Sequence, residues 1–160
     1  LHVDDLLSLE PEATARVIRR SVAIKAGVVT EDERESTGQR AILNYGHTVA
    51  HALETATEYG EYLHGEAVAI GMTAASVIGL TLGITPESLI NRQSKLLERF
   101  GLPVQCKEID LASVLTAMQL DKKTTDGEIN WVLLSGIAQP IHQSKVPQTL
   151  VKQVLQDLLY

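Results

Sequence analysis

The chain has 160 residues, the length of one domain, with 44% hydrophobic and 21% charged residues and a formal net charge of −6. This composition excludes a disordered chain, and an acidic balance without a basic stripe gives nucleic acid no footing. The one cysteine, Cys106, excludes an internal disulfide framework and a cysteine-rich zinc site, and it points to a reducing, cytosol-like compartment.

The N-terminus has no basic segment followed by an apolar one, so no signal peptide is read there. It also lacks an initiator Met, and the expectation is a piece of a longer protein. Ser8-Leu9-Glu10-Pro11 is read as a helix start with Pro in the first turn. That helix runs to about Val29, with Ala15, Ile18, Val22 and Lys25 on a similar face. Thr30 to Gln39 is polar and dense in charge, a solvated loop. A second helix is expected over about Arg40 to Tyr59, then a short irregular link bracketed by Gly60 and Gly65. A third helix is expected over about Glu66 to Leu82. Its apolar stretch is short for a membrane span and rich in Gly, Ala, Ser and Thr, so it is read as a buried helix and no membrane role is expected.

Thr85-Pro86-Glu87-Ser88 starts a fourth helix, ended at Phe100-Gly101 with Gly101 suited to a left-handed cap. Asp110 caps a fifth helix, to about Leu120. Asp126-Gly127 is a turn signal, Ile129 to Leu134 is the best strand, and its partner is expected around Pro140 to Val146. Pro147-Gln148-Thr149 opens a last amphipathic helix with Leu150, Val154, Leu155 and Leu158 facing inward. The fold class is mainly α, one multi-helix domain over residues 1–160 with one small β-hairpin.

Three of the five histidines are close in sequence. His47 and His51 are one helical turn apart and share a face, and His64 follows after enough chain for a turn and a return. Two helices side by side could aim His47 and His64 at one point, and neutral imidazole is a good ligand for zinc and its neighbours. A catalytic zinc takes three protein ligands, and Glu54 and Glu66 are nearby candidates for the third, although each also reads as a solvated helix carboxylate. Arg40, Asn44, His47 and His51 follow an i, i+4, i+7, i+11 pattern, one polar stripe on an otherwise apolar helix. A buried polar stripe needs partners or a ligand, and an Arg with an amide suits an anion. Lys25 ends an apolar segment, and Lys122-Lys123 is a loop pair that reads as solvated on its own.

The strings Ser21-Val22-Ala23-Ile24-Lys25-Ala26-Gly27-Val28-Val29, Asp32-Glu33-Arg34-Glu35, Arg40-Ala41-Ile42-Leu43-Asn44-Tyr45-Gly46-His47-Thr48, His51-Ala52-Leu53-Glu54 and Leu63-His64-Gly65-Glu66-Ala67-Val68 closely resemble 3-dehydroquinate synthases. Asp121-Lys122-Lys123 and Val132-Leu133-Leu134 fit the same family. The resemblance covers nearly the whole chain and corresponds to the family's C-terminal, mostly helical half. It implies conversion of 3-deoxy-D-arabino-heptulosonate 7-phosphate into 3-dehydroquinate and phosphate, a step of the shikimate route to aromatic amino acids. It implies NAD⁺ and a divalent metal, zinc or cobalt, with His47 and His64 as metal ligands. It further implies that Lys25, Arg40, Asn44 and Lys122 hold the anionic substrate, and that Glu35 and His51 move protons. Val49-Ala50 stands where family members commonly have Phe or Ile followed by Gly, a change in packing that leaves the ligands alone.

The family's third metal ligand, a Glu in an Ala-Glu-x-x-Lys segment, and its Gly-rich nucleotide loop are not among these residues. The expected partners are therefore an N-terminal NAD-binding domain and, as is typical of the family, a second subunit in a cytoplasmic homodimer. The isolated chain is expected to bind metal weakly and not to turn over. Two alternatives stay open at this point. One is a related sugar-phosphate cyclase or metal-dependent polyol dehydrogenase, although Lys25, Arg40 and Lys122 favour a doubly anionic substrate over a neutral polyol. The other is a non-catalytic helical assembly module.

Overall fold

The computed structural model describes residues 2–33, 38–107, 109–120, 124–125 and 128–158. It divides into two compact units, Leu1–Leu43 and Asn44–Tyr160.

In the first unit, α1 (Val3–Leu7) is followed by α2 (Pro11–Glu31). The helix starts where expected, and its cap is Glu10, whose carboxylate accepts from the backbone N–H groups of Glu12 at 3.1 Å and Ala13 at 2.6 Å, with Pro11 next in the first turn. Leu9, at φ +56°, turns the chain between the two helices. A 3₁₀ segment, Gln39–Asn44, carries the chain across the boundary into the second unit.

The second unit is built round α4 (His64–Thr81), which packs against α3 (His47–Ala56), α5 (Glu87–Arg99), α7 (Gln148–Leu158) and β3 (Trp131–Gly136). A helix apolar on all sides belongs inside, and Ala67, Ile70, Ala74, Ala75 and Ile78 are all buried. Leu53, Ile70, Ile78 and Leu133 are almost fully buried, each a contribution of roughly 1.5–3 kcal/mol. α6 (Leu111–Leu120) packs on α3 and α7. As expected, Asp110 caps it, accepting from the N–H groups of Ser113 at 2.9 Å and Ala112 at 3.3 Å; the hydrogen bond from the Ser113 hydroxyl, followed by these two, holds its carboxyl below the usual range. Gly101 takes the left-handed conformation, φ +69°, that closes α5.

β3 pairs antiparallel with β4 (Gln139–Gln143), with Trp131 opposite Gln143 and Leu133 opposite Ile141. This is the expected hairpin. A second, minimal ladder of β1 (Thr124–Thr125) with β2 (Glu128–Ile129) precedes it, because Ile129 pairs backwards and the run breaks at Asn130. The expected Asp126-Gly127 turn lies outside the described residues. On α7 the fully buried face is Val151, Val154, Leu155 and Leu158, and Leu150 is half-buried at its edge. Cys106 and Trp131 are core residues; burial pushes the Cys106 thiol up to about 11. Among the described residues no helix is long and apolar enough to cross a membrane.

The second expected helix departs from the sequence reading. The helix expected over Arg40 to Tyr59 is interrupted: Arg40 and Asn44 lie in the 3₁₀ segment, Gly46 turns at φ +81°, and α3 begins only at His47. The continuous polar stripe therefore does not exist. The cause is a backbone contact. A Cβ on Gly46 would come within 2.8 Å of Met72 N and of the Val68 carbonyl oxygen, so only glycine serves where the chain crosses α4.

Candidate functional site

His47 is the first residue of α3 and His64 the first residue of α4. Gly46 lies on α4 at Gly71 and Met72, so α3 starts against the middle of α4 and runs back along it until Glu54, in its last turn, meets His64. A Cβ on Gly71 would overlap the Gly46 carbonyl oxygen and sit 3.2 Å from the Ala50 backbone nitrogen. Ala50 is itself fully buried in this crossing. Tyr45 fastens the turn: its hydroxyl donates to Gln93 Oε1 at 2.8 Å, and Gln93 Nε2 donates to the Met72 carbonyl at 3.1 Å. Burial pushes the Tyr45 phenol up to about 12, against the opposing pull of the Gln93 hydrogen bond.

The three imidazoles gather at this crossing. Ring centroids lie 5.3 Å apart for His47 and His64, 5.6 Å for His47 and His51, and 6.3 Å for His51 and His64. Two imidazoles sharing one tetrahedral ion, with metal–nitrogen bonds of about 2.1 Å, place their centroids about 5 Å apart. The His47–His64 pair fits that spacing. His47 Nδ1 lies 3.2 Å from the Tyr45 carbonyl, and His64 Nδ1 lies 2.9 Å from Glu54 Oε1. A carbonyl and a carboxylate only accept, so in each ring Nδ1 carries the proton and, in the neutral form, Nε2 carries the lone pair. That tautomer is assigned from the partners.

The two carboxylates considered as a third ligand are otherwise engaged. Glu66 turns back on its own helix and accepts from the Leu63 N–H at 2.8 Å, which is what starts α4 at His64 and not at Glu66 as the sequence suggested. Glu54, 7% exposed, faces His64. Among the described residues no three His, Cys, Asp or Glu side chains form a complete ligand set. The donor chemistry fits two ligands of a site and leaves the third to be supplied from elsewhere.

Two of the other candidates belong to the first unit. Lys25 is exposed on α2 in the first unit. Arg40, also in the first unit, is held by its backbone N–H, which donates to the buried carboxylate of Asp32 at 3.1 Å. Asn44 is half-buried at the start of the second unit. Glu35, Lys122 and Lys123 lie outside the described residues. Sequence reasoning missed Tyr45, Gly71 and Gln93; the only sign of them was a Gly beside the first His and a second Gly within an apolar helix.

Comparison with known proteins puts this arrangement in context. A family profile described as 3-dehydroquinate synthase C-terminal matches residues 2–124. The 3-dehydroquinate synthase of Methylacidiphilum infernorum is 43% identical over 157 residues, which is 98% of this chain and 44% of that protein. That of Acidithiobacillus ferrooxidans is 44% identical over 158 residues, 99% of this chain and 43% of that one. Among solved structures, 2-deoxy-scyllo-inosose synthase complexed with carbaglucose-6-phosphate, NAD⁺ and Co²⁺ is 30% identical with a TM-score of 0.74, covering 86% of this chain and 40% of its own. A 2-epi-5-epi-valiolone synthase from Streptomyces hygroscopicus subsp. jinggangensis, with NAD⁺ and Zn²⁺ bound, is 26% identical with a TM-score of 0.81, covering 98% and 44%.

The fold is thus one shared with these metal- and NAD⁺-bound synthases, mainly helical as the sequence suggested. More narrowly, the chain belongs to the 3-dehydroquinate synthase family. It spans less than half the length of the curated relatives it matches, 44% and 43% for the two described.

Proposed function

We propose that this chain is the metal- and substrate-binding C-terminal domain of a 3-dehydroquinate synthase, which converts 3-deoxy-D-arabino-heptulosonate 7-phosphate into 3-dehydroquinate and phosphate. The observation that carries the reading is the His47–His64 pair, 5.3 Å between centroids, held by a backbone crossing within the family's motif. His47 and His64 would hold a divalent ion, zinc or cobalt, with a third ligand from the rest of the protein. Held there, such an ion would supply acidification of a substrate hydroxyl and polarisation of a carbonyl, and NAD⁺ would supply the hydride chemistry.

The chain's own residues do the rest. Lys25, Arg40, Asn44 and Lys122 bind the carboxylate and phosphate, and Arg40 can do so with two parallel hydrogen bonds. Fixing both charged ends holds the flexible open form of the substrate ready for ring closure. His51, one turn from His47 and 6.3 Å from His64 between centroids, would move a proton in the reaction, a role supported by its nearness to both ligands. Glu35 is assigned a second proton-transfer role on the family motif. NAD⁺ is bound mainly by an N-terminal domain, and the working enzyme is a cytoplasmic homodimer.

The likeness to 2-deoxy-scyllo-inosose and 2-epi-5-epi-valiolone synthases supports one second reading, a related cyclase acting on another sugar phosphate. The curated relatives at 43% and 44% identity favour the first. The test is phosphate release by the intact protein, given NAD⁺ and zinc, from the heptulosonate phosphate. Turnover that is lost in both His47→Ala and His64→Ala, together with bound zinc, is the expected result. No release from that substrate, or a His47→Ala protein that keeps its zinc and its rate, overturns the assignment.

A further inference from the structure

The geometry points to Glu54 as a positioning residue: from the buried side it fixes the tautomer and ring orientation of His64, and it is not a metal ligand. This inference rests on the reading that His47 and His64 hold a divalent ion.

The two partners are unequal in burial. The Glu54 side chain is 9% exposed and that of His64 is 57% exposed, with 2.9 Å between Oε1 and Nδ1. Leaving a carboxylate in the interior is costly unless it is hydrogen-bonded, and His64 is the side chain it meets among the described residues. The ring, by contrast, projects from the first residue of α4 with more than half of its side chain exposed. The buried partner is therefore the anchor and the exposed ring is the part being held.

The anchor is itself well fixed. Glu54 lies in the last turn of α3 beside Leu53, which is fully buried, and its own carbonyl accepts from the Tyr59 N–H at 2.8 Å. Tyr59 closes the helix in a left-handed conformation, φ +59°. Glu54 also stands seven residues after His47, two helical turns along the same face. One rigid helix thus carries one ligand and the group that aims the other.

The chemistry follows from the acceptor. A carboxylate on Nδ1 keeps the proton there, presents the Nε2 lone pair outward, and makes that nitrogen more basic towards a metal. A Glu54 that swung round to coordinate an ion would abandon Nδ1 and lose this control, so the two roles exclude each other and can be told apart.

The experiment uses the intact protein with ¹⁵N-histidine labelling, zinc as the probe, and the variants Glu54→Gln, Glu54→Ala, His64→Ala and Glu54→Ala/His64→Ala. In the metal-free wild type, His64 shows a protonated Nδ1 and an unprotonated Nε2; in Glu54→Ala it shows a mixture of tautomers. Zinc affinity falls about 10- to 100-fold in Glu54→Ala. Glu54→Gln, whose amide oxygen still accepts from Nδ1, loses less than Glu54→Ala and serves if the alanine variant does not fold. In the His64→Ala background, Glu54→Ala costs no further affinity, because it acts only through the ring. A further loss in that background, or an unchanged His64 spectrum in both single variants, overturns the inference. If the wild type binds no zinc, the metal reading falls, and the tautomer spectrum still decides the role of Glu54.

Discussion

Replacing Gly71 by Ala tests the backbone crossing that places the histidines. The added Cβ would overlap the Gly46 carbonyl oxygen and sit 2.9 Å from its carbon and 3.2 Å from Ala50 N. All three are backbone atoms, so none can swing aside, and α3 must lift off α4 by roughly 1–1.5 Å to restore ordinary contact. Overpacking of this kind costs about 1–3 kcal/mol. The gain in helix propensity from Gly to Ala returns at most about 1 kcal/mol. With rigid neighbours the upper part of the range applies, for a net loss of about 2 kcal/mol and a correspondingly lower Tm. Gly65→Ala is the internal control. It lies in the same helix with nothing within 4 Å of its Cβ, so it should be neutral or stabilising by about 0.5 kcal/mol. The readouts are thermal melts and zinc titration of the intact protein, since a lift of this size also spoils the imidazole spacing. A Gly71→Ala protein that melts with or above Gly65→Ala would refute the crossing.

Two further outcomes follow from buried titratable groups. The Tyr45 phenol ionises near 10 when unfolded and near 12 when folded, so its contribution is fully present below pH 10 and is lost as pH rises through about 12. Tyr45→Phe should therefore be slightly less stable at pH 7, by about 1 kcal/mol for the lost hydrogen bond, and show a shallower fall between pH 10 and 12 in denaturant melts; an unchanged alkaline slope would count against a buried phenol. Cys106, 1% exposed with its thiol pushed up to about 11, should resist thiol reagents at pH 8 until the protein is unfolded, and prompt labelling of native protein would contradict its core position.

Much of the fold was legible because its signals are local. Pro11, Pro86 and Pro147 mark helix starts, Gly101 a helix end and Asp110 a cap, and each acts within a few residues of itself. The His47–His64 convergence was also legible, since the motif strings name it and helical spacing permits it. What could not be read was long-range. The expected helix through Arg40 and His47 is locally sound, and it breaks because Gly46 must meet Gly71, twenty-five residues away. Spacing likewise offered Glu54 and Glu66 as equals. Only the fold separates them, one reaching across to another helix and the other turning back on its own.

The Gly46–Gly71 crossing has a consequence for what the histidines can bind. The backbones that carry them are held by main chain lying on main chain, which leaves only the ring torsions to settle, and Glu54 holds those of His64. The entropy of gathering the donors is therefore lost while the chain folds, before any guest arrives. A guest then meets rings already assembled, and more of its interaction energy survives as affinity. The residues that secure this advantage, two glycines, a tyrosine and one buried carboxylate, are not themselves the donors.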